Sequence, residues 1–129
     1  MNIPDNLKYS DNDEWIKIDG NIGTIGITDY AQDQLSDIVF VEILVSEGEE
    51  VSKGDSCATV ESVKAAADVY MPISGSIISV NDALADTPEL INDDPYGEAW
   101  MVKFEIGDLS EIAGLLDSAG YLKLIDSRE

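Results

Sequence analysis

The chain has 129 residues, 44% of them hydrophobic and 26% charged, as is typical of one globular domain. Seven basic and 27 acidic residues give a formal net charge of −20. Such a surface repels phosphate backbones and anionic lipid, so we expect no nucleic-acid or membrane partner, and it favours a monomer. The chain has no histidine and a single cysteine, Cys57, which excludes histidine-based catalysis and an internal disulfide.

The first third of the chain predicts a β-hairpin followed by a helix. Residues 15–18 alternate weakly in polarity, residues 19–21 (Asp-Gly-Asn) form a turn, and residues 22–27 give the second strand. Residues 28–35 predict a short helix whose first N–H groups are capped by Thr28.

The middle of the chain predicts short strands separated by glycine turns. Residues 38–45 are rich in β-branched and aromatic side chains, which is typical of a buried strand. Three further strands are predicted at 57–60, 66–71 and 77–80. This spacing favours a sandwich or a barrel.

The last third mixes helix and strand. It predicts four elements, at residues 87–91 (helix), 99–106 (strand), 108–117 (helix) and 121–125 (helix). Asp108 or Ser110 caps the second of these helices, and Gly120 ends or bends it. No signal peptide, transit peptide or membrane span is visible, so we expect a cytoplasmic protein, with a mature mitochondrial protein as the alternative.

The sequence contains two candidate sites, a calcium loop and a reactive cysteine, and supports neither. The acidic run 11–14 resembles the beginning of a calcium loop, but the required Gly and Glu positions are occupied by Ile16 and Ile22. We therefore expect no metal site. Cys57 has no histidine to activate it and lies in a predicted strand, so we interpret it as a small buried hydrophobic residue.

Lys64 is the third candidate, because it lies at the tip of a predicted hairpin. Considered alone, an exposed lysine paired with Glu61 has no specific role. Its surroundings, however, resemble the lipoyl and biotinyl carrier domains in three segments: Gly48-x-x-Val51-x-x-Gly54-Asp55, Glu61-Ser62-Val63-Lys64-Ala65 and Pro72-x-Ser74-Gly75. Biotin carriers usually have methionine on both sides of the lysine, so Val63 and Ala65 disfavour biotin.

From about Leu7 to Tyr121 the chain resembles the H proteins of the glycine cleavage system more closely. The further segments behind this resemblance are Gly26-Ile27-Thr28-Asp29-Tyr30-Ala31-Gln32, Asp37-Ile38-Val39-Phe40-Val41-Glu42 and Asn92-x-Asp94-Pro95-Tyr96-Gly97-x-x-Trp100. Three places depart from the family pattern: Asp13 replaces a usual His, Ser36 replaces a usual Gly, and segment 43–46 lacks a usual Pro and is one residue longer.

The resemblance implies a mainly β fold, a barrel-sandwich hybrid with an N-terminal hairpin and short added helices, mainly C-terminal. It implies a single lipoyl-carrier domain over residues 1–129. The core hairpin region is expected at about 38–80 and a C-terminal helical segment at about 108–126.

The resemblance also implies a carrier rather than an enzyme. Lipoic acid would be amide-linked to Lys64, with Glu61, Ser62, Val63 and Ala65 as the modification motif. The implied partners are glycine decarboxylase (P protein), aminomethyltransferase (T protein), dihydrolipoamide dehydrogenase (L protein) and lipoylating enzymes, and the implied cargo is the aminomethyl group of glycine. Two alternatives stay open: a carrier that mainly relays lipoyl groups to other enzymes, and an unmodified interaction domain.

A cleft for the loaded arm is implied near residues 13–15 and the strand after the lysine. The carboxylates there are Glu14 and Asp68, with Asn12 as a further acceptor. We expect these groups to receive the cationic amine of the cargo and to limit its contact with water. The alternative is that both acids are ordinary solvated side chains.

Overall fold

The computed structural model describes residues 1–128 and shows two antiparallel β-sheets with short helices around them. The strands are β1 (Lys8–Tyr9), β2 (Glu14–Asp19), β3 (Ile22–Ile27), β4 (Ile38–Ile43), β5 (Glu50–Val51), β6 (Ser56–Ser62), β7 (Ala66–Tyr70), β8 (Gly75–Val80) and β9 (Val102–Ile106). The helices are α1 (Asp29–Leu35), α2 (Ala83–Asp86), α3 (Leu90–Asp93), a 3-10 helix (Leu109–Gly114) and α4 (Ser118–Arg128). No helix in this described part of the chain is long and apolar enough to cross a bilayer.

The six-stranded sheet has the order β1-β2-β3-β9-β8-β5, and the three-stranded sheet has the order β4-β6-β7. Neither sheet closes on itself. Apolar side chains of both sheets form one buried core, to which the six-stranded sheet contributes Ile16, Ile25, Ile77 and Phe104, and the three-stranded sheet Val41, Ala58, Val60 and Val69. This confirms the predicted mainly β sandwich architecture, in which the hairpin β6–β7 is backed by a packed core.

The N-terminal hairpin and helix are confirmed. Strands β2 and β3 pair along their full length around a turn in which Gly20 has a φ of 63°, a conformation that glycine adopts without strain. Helix α1 begins after Thr28, whose Oγ1 accepts a hydrogen bond from the Ala31 N–H. The strand predicted at 38–45 is confirmed as β4, but its uniform burial is wrong because Val39 and Phe40 face solvent.

The C-terminal segment differs from its prediction in two ways. The helix expected to run to Asp117 is a 3-10 helix that ends at Gly114, with hydrogen bonds from residue i+3 to residue i. Gly120 does not end a helix, because it lies in the first turn of α4 and its N–H donates to Asp117 Oδ1 at 2.8 Å. Asp117 thus satisfies an N–H group at the beginning of α4, which then continues to Arg128.

A second, aromatic cluster attaches α4 to the six-stranded sheet. The rings of Tyr9 and Tyr121 stack with centroids 4.8 Å apart, and Trp15, Tyr30 and Ile125 are buried beside them. The last helix is therefore held against the strands that begin the chain, next to the loop between β1 and β2.

Candidate functional site

Lys64 lies in a four-residue turn that joins β6 to β7 and is fixed by Ser62. The Ser62 N–H donates to the Ala65 carbonyl at 2.7 Å, and Ser62 Oγ accepts from the N–H groups of Lys64 and Ala65 at 3.2 and 3.0 Å. The Lys64 side chain is exposed. Within residues 1–128 the one ion pair joins Arg128 to Asp13, so the pairing of Lys64 with Glu61 is not formed. The geometry presents a free amine from a rigid turn.

The turn is also tied to the neighbouring strand. The Val63 N–H donates to the Asp37 carbonyl at 3.0 Å, just before β4 begins. Glu61 and Ala66 are exposed cross-strand partners at the last rung of the hairpin. The residues of the predicted modification motif therefore lie together at the tip, with Val63 and Ala65 exposed on either side of the lysine.

Glu14 is a buried carboxylic acid, with 1% of its surface exposed. Its Oε1 accepts from Ser10 Oγ at 2.5 Å, and its Oε2 accepts from the Tyr70 N–H at 3.2 Å. Burial raises the pKa of Glu14 to about 7; the two hydrogen bonds oppose this rise, and the nearby Asp13 and Asp11 add to it. Glu14 is thus not a solvated acid and changes charge near neutral pH.

The residues expected in an arm-binding cleft line two adjacent cavities. One, of about 200 Å³, contacts Asn12, Glu14 and the 3-10 helix. The other, of about 180 Å³, contacts Asn12, Asp68 and α1. Asn12 lines both, while Glu14 and Asp68 do not share one. Tyr70 connects the two acidic residues, because its N–H donates to Glu14 Oε2 and its hydroxyl donates to Asp68 Oδ2 at 3.4 Å.

Asp13 is a site residue whose role the sequence did not indicate. It adopts a φ of 67°, which aspartate tolerates better than most residues. Its Oδ1 accepts from the Tyr121 hydroxyl at 2.9 Å and from Arg128 Nη1 at 2.7 Å. Arg128 also donates to the Asp11 carbonyl at 2.7 Å. The departure from the family's histidine marked this position, but only the fold shows that Asp13 fastens α4 to the loop that bears Asn12 and leads into β2 at Glu14.

Cys57 lies in the core and not at the site. The Cys57 thiol is fully buried, and this burial raises its pKa to about 12, so the thiol stays protonated and unreactive. The described residues contain no cluster of acidic, histidine or cysteine side chains arranged to hold a metal ion.

An exposed lysine at the turn of a hairpin, in an open two-sheet sandwich, is the arrangement that the sequence predicted for a carrier domain of the lipoyl type. The model of the family described as glycine cleavage H-protein matches residues 7–128, and the chain belongs to that family.

Individual relatives agree with the family match. The chain is 53% identical over 124 residues to the glycine cleavage system H protein of Carboxydothermus hydrogenoformans, covering 96% of this chain and 95% of the relative. It is 50% identical over 129 residues to that of Photorhabdus laumondii, covering 99% and 98%. A crystal structure of the H protein from Mycobacterium marinum superposes with a TM-score of 0.83 at 36% identity, covering 96% of this chain and 99% of the other.

Proposed function

We propose that this chain is the lipoyl-bearing carrier of a glycine cleavage system, with lipoic acid in amide linkage to Lys64. The observation that supports this most directly is the position of Lys64: exposed, without an ion pair among the described residues, and held by the hydrogen bonds of Ser62 in a rigid turn. A rigid attachment point suits a group that must be presented to several enzymes in turn. The relatives' names favour glycine cleavage over a relay of lipoyl groups.

When attached, the lipoyl group would supply a disulfide that accepts the aminomethyl group of glycine and that is left as a dithiol, to be reoxidised, once the group has been passed on. This chain needs no catalytic residue for that task. Its own contribution is to present the arm, to dock briefly with the decarboxylase, aminomethyltransferase and dihydrolipoamide dehydrogenase, and to be recognised by a lipoylating enzyme. The charge of −20 favours fast electrostatic encounter with basic faces of these partners. We propose that it works in the cytoplasm, since the relatives compared are bacterial. We propose that it is a monomer, because its net charge of −20 opposes association with a second copy.

We further propose that the two cavities beside the hairpin shelter the loaded arm between visits. Asp68 lies in β7, four residues after Lys64, so the two Cα atoms are at most about 14 Å apart, which is within reach of a long acyl chain on the lysine. The carboxylate of Asp68, the amide of Asn12 and the ionisable Glu14 offer acceptors for a cationic amine.

Peptide mapping of the protein from its native source tests the attachment. A lipoyl mass is expected on the peptide that contains Lys64 and on no other. Lys64→Arg retains the charge but offers no amine to acylate, so it should fold with stability within about 0.5 kcal/mol of the wild type and support no glycine cleavage. Lys103→Arg is the matched control and should be lipoylated normally. Modification of Lys53 or Lys103 in place of Lys64 contradicts the assignment.

A double substitution, Glu14→Gln with Asp68→Asn, tests the shelter. Lipoylation and reoxidation should be unchanged, while the aminomethyl-loaded carrier should decay several-fold faster in the absence of partners, because each charged contact stabilises the amine by about 1–3 kcal/mol at most. Glu47→Gln with Asp86→Asn changes two exposed acids away from the cavities and serves as the control. An unchanged decay rate assigns no sheltering role to Glu14 and Asp68.

A further inference from the structure

Three large apolar side chains are exposed together beside Lys64, and we name them the bulge patch: Val39, Phe40 and Val63. Their exposed fractions are 54%, 46% and 67%. The other large apolar side chains that are exposed in residues 1–128 lie singly on separate segments: Met1, Leu44, Ile78, Leu109 and Leu122. Single exposed apolar residues are ordinary, whereas a group of them beside a functional residue indicates a surface for a partner.

A β-bulge in β4 creates this patch. Ile38 pairs with Ser62 and Phe40 pairs with Glu61, so β4 has one extra residue between the two pairs. Regular alternation would turn one of two successive side chains into the core. At the bulge both Val39 and Phe40 face solvent, while Ile38 before them and Val41 after them are buried.

The tip of the hairpin brings Val63 to the same surface. Its N–H donates to the carbonyl of Asp37, directly before β4, so the turn that contains Lys64 lies against the beginning of the bulged strand. Phe40 is the cross-strand neighbour of Glu61, which lies three residues before the lysine. A protein that covers the Lys64 amine from the β4 side of the hairpin therefore meets Val63 and the bulge at the same time.

The edge of the patch is acidic. Asp37, Glu42 and Glu61 are all exposed around it, in a chain of net charge −20. The complementary surface is an apolar socket rimmed by lysine and arginine, which would gain affinity from the apolar contact and rate of encounter from the charges.

We propose that the bulge patch is the docking surface of the enzyme that acylates Lys64. This inference rests on the proposed function. Enzymes that act on the finished arm reach it through a long flexible chain and can dock at a distance from the tip. The acylating enzyme must instead bring its activated acyl group to the amine of a bare lysine, whose stem has only four carbons. It must therefore cover the tip and, with it, the patch.

The transfer fixes how close the two proteins come. With an ATP-dependent ligase, the Nζ lone pair attacks the carbonyl carbon of a lipoyl–AMP anhydride. The amide C–N bond forms, the bond from that carbon to the phosphate oxygen breaks, AMP leaves with the electron pair, and the amine gives up a proton. Attack requires the reacting atoms to be in contact, and a socket that seats Val63 and Phe40 would orient the amine for it.

The test compares Phe40→Thr with Ile78→Thr, since the two parent side chains have nearly equal exposure, at 46% and 44%, and both lie in strands beside a bulge. Threonine retains β-propensity, so both variants should fold, which melting curves verify. Lipoylation with a purified ligase, lipoic acid and ATP is followed by intact mass. We expect kcat/KM for lipoylation to fall about tenfold for Phe40→Thr, mainly through KM, and to stay unchanged for Ile78→Thr. Val39→Thr is a second, nearly isosteric variant with the same expectation.

A second readout separates this surface from a general docking face. Each variant is lipoylated exhaustively, reduced to the dihydrolipoyl dithiol and freed of the reductant. It is then reoxidised by dihydrolipoamide dehydrogenase with NAD+ as the electron acceptor, and the rate should equal that of the wild type. Wild-type lipoylation rates in Phe40→Thr and Val39→Thr overturn the inference, as does an equal loss in lipoylation and reoxidation. If the wild-type chain is not lipoylated on Lys64 at all, the proposed function fails, and the inference fails with it.

Discussion

The buried carboxyl of Glu14 makes the stability of the protein depend on pH. Its pKa rises from an ordinary value of 4.5 to about 7 on folding. Below about pH 4.5 the group is protonated in both states, and its contribution to stability is fully present. Between pH 4.5 and about 7 the unfolded chain releases its proton while the folded protein retains it, so that contribution is lost across this range, and above pH 7, where both states are charged, the loss is complete.

Glu14→Gln removes this dependence. Relative to the wild type, the variant should gain stability between pH 5 and pH 8, by an amount on the order of 3 kcal/mol. Urea unfolding at both pH values measures the difference, with the exposed Glu47→Gln as the control whose difference stays constant. A stability difference between Glu14→Gln and the wild type that does not vary with pH would mean that the pKa of Glu14 is the same in both states.

Ser36 occupies a backbone conformation that suits glycine. Its φ of 69° and ψ of −150° fall in a region that costs a residue with a Cβ about 1–3 kcal/mol. Ser36→Gly should therefore raise the free energy of unfolding by about 1 kcal/mol, the rest being offset by the greater freedom of glycine in the unfolded chain. Thermal melting measures it. Ser36→Ala retains the Cβ, so a gain of the same size in that variant would show that the backbone strain is not the cause.

The candidate site was only partly readable from single residues. Lys64 and its motif were predicted because the surrounding segments resemble the lipoyl carriers, whereas a lysine between two predicted strands indicates no role by itself. The burial of Glu14 was not predictable, since it depends on Ser10 and on Tyr70, 56 residues away in the chain. The role of Asp13 was missed for the same reason, because its partners lie on the last helix.

At the scale of elements, the two glycines predicted to lie in turns beside the hairpin differ in kind: Gly54 lies in a turn, whereas Gly75 is the first residue of β8. Gly54 has a φ of 92° with open space around it, so a side chain there strains only the backbone. Gly75 lies where β8 meets β9, and a Cβ would overlap the Glu105 carbonyl oxygen and the Phe104 ring. A side chain at Gly54 is therefore disfavoured by the backbone conformation, and a side chain at Gly75 by overlap with its neighbours.

Valine at these two positions should therefore give different losses. Gly54→Val is expected to cost about 1–2 kcal/mol and to slow lipoylation modestly. Gly75→Val forces the six-stranded sheet apart and should cost more than about 3 kcal/mol, with poor lipoylation. Gly114→Ala, on the exposed 3-10 helix, is the control. Normal lipoylation of both valine variants would show that the placement of Lys64 tolerates these changes.

Alternating polarity and glycine turns were enough to predict most of the strands. A strand with one buried face shows alternation within its own residues, and a tight turn requires glycine at that position, so both signals are local in the sequence. The bulge in β4 was not, since its β-branched and aromatic run is equally typical of a buried strand. The 3-10 helix was interpreted as a longer helix because Asp108, which caps it, would cap an α-helix equally well. Local signals locate an element more reliably than they specify its geometry.

At the scale of the whole molecule, Arg128 fastens the end of the chain to its beginning. Arg128→Gln removes the contacts with Asp13 and the Asp11 carbonyl. Because the ion pair is partly exposed, the loss of stability should be below about 1 kcal/mol. Amide hydrogen exchange within residues 10–14 should nevertheless become faster. Lys123→Gln, at an exposed position on the same helix, is the control and should leave this exchange unchanged. Unchanged exchange in Arg128→Gln would show that other contacts alone hold the loop.

The same contacts set an order of events on the ribosome. The turn that presents Lys64 is closed by hydrogen bonds between residues close in the sequence. The partners of Asp13 are distant, because Tyr121 lies 108 residues and Arg128 115 residues further along the chain. Contacts between distant residues form late, because closing a long loop costs entropy before anything is gained. A nascent chain can thus complete the hairpin of Lys64 while the loop with Asn12 and Asp13 is still unfastened, so the proposed attachment point forms before the proposed shelter.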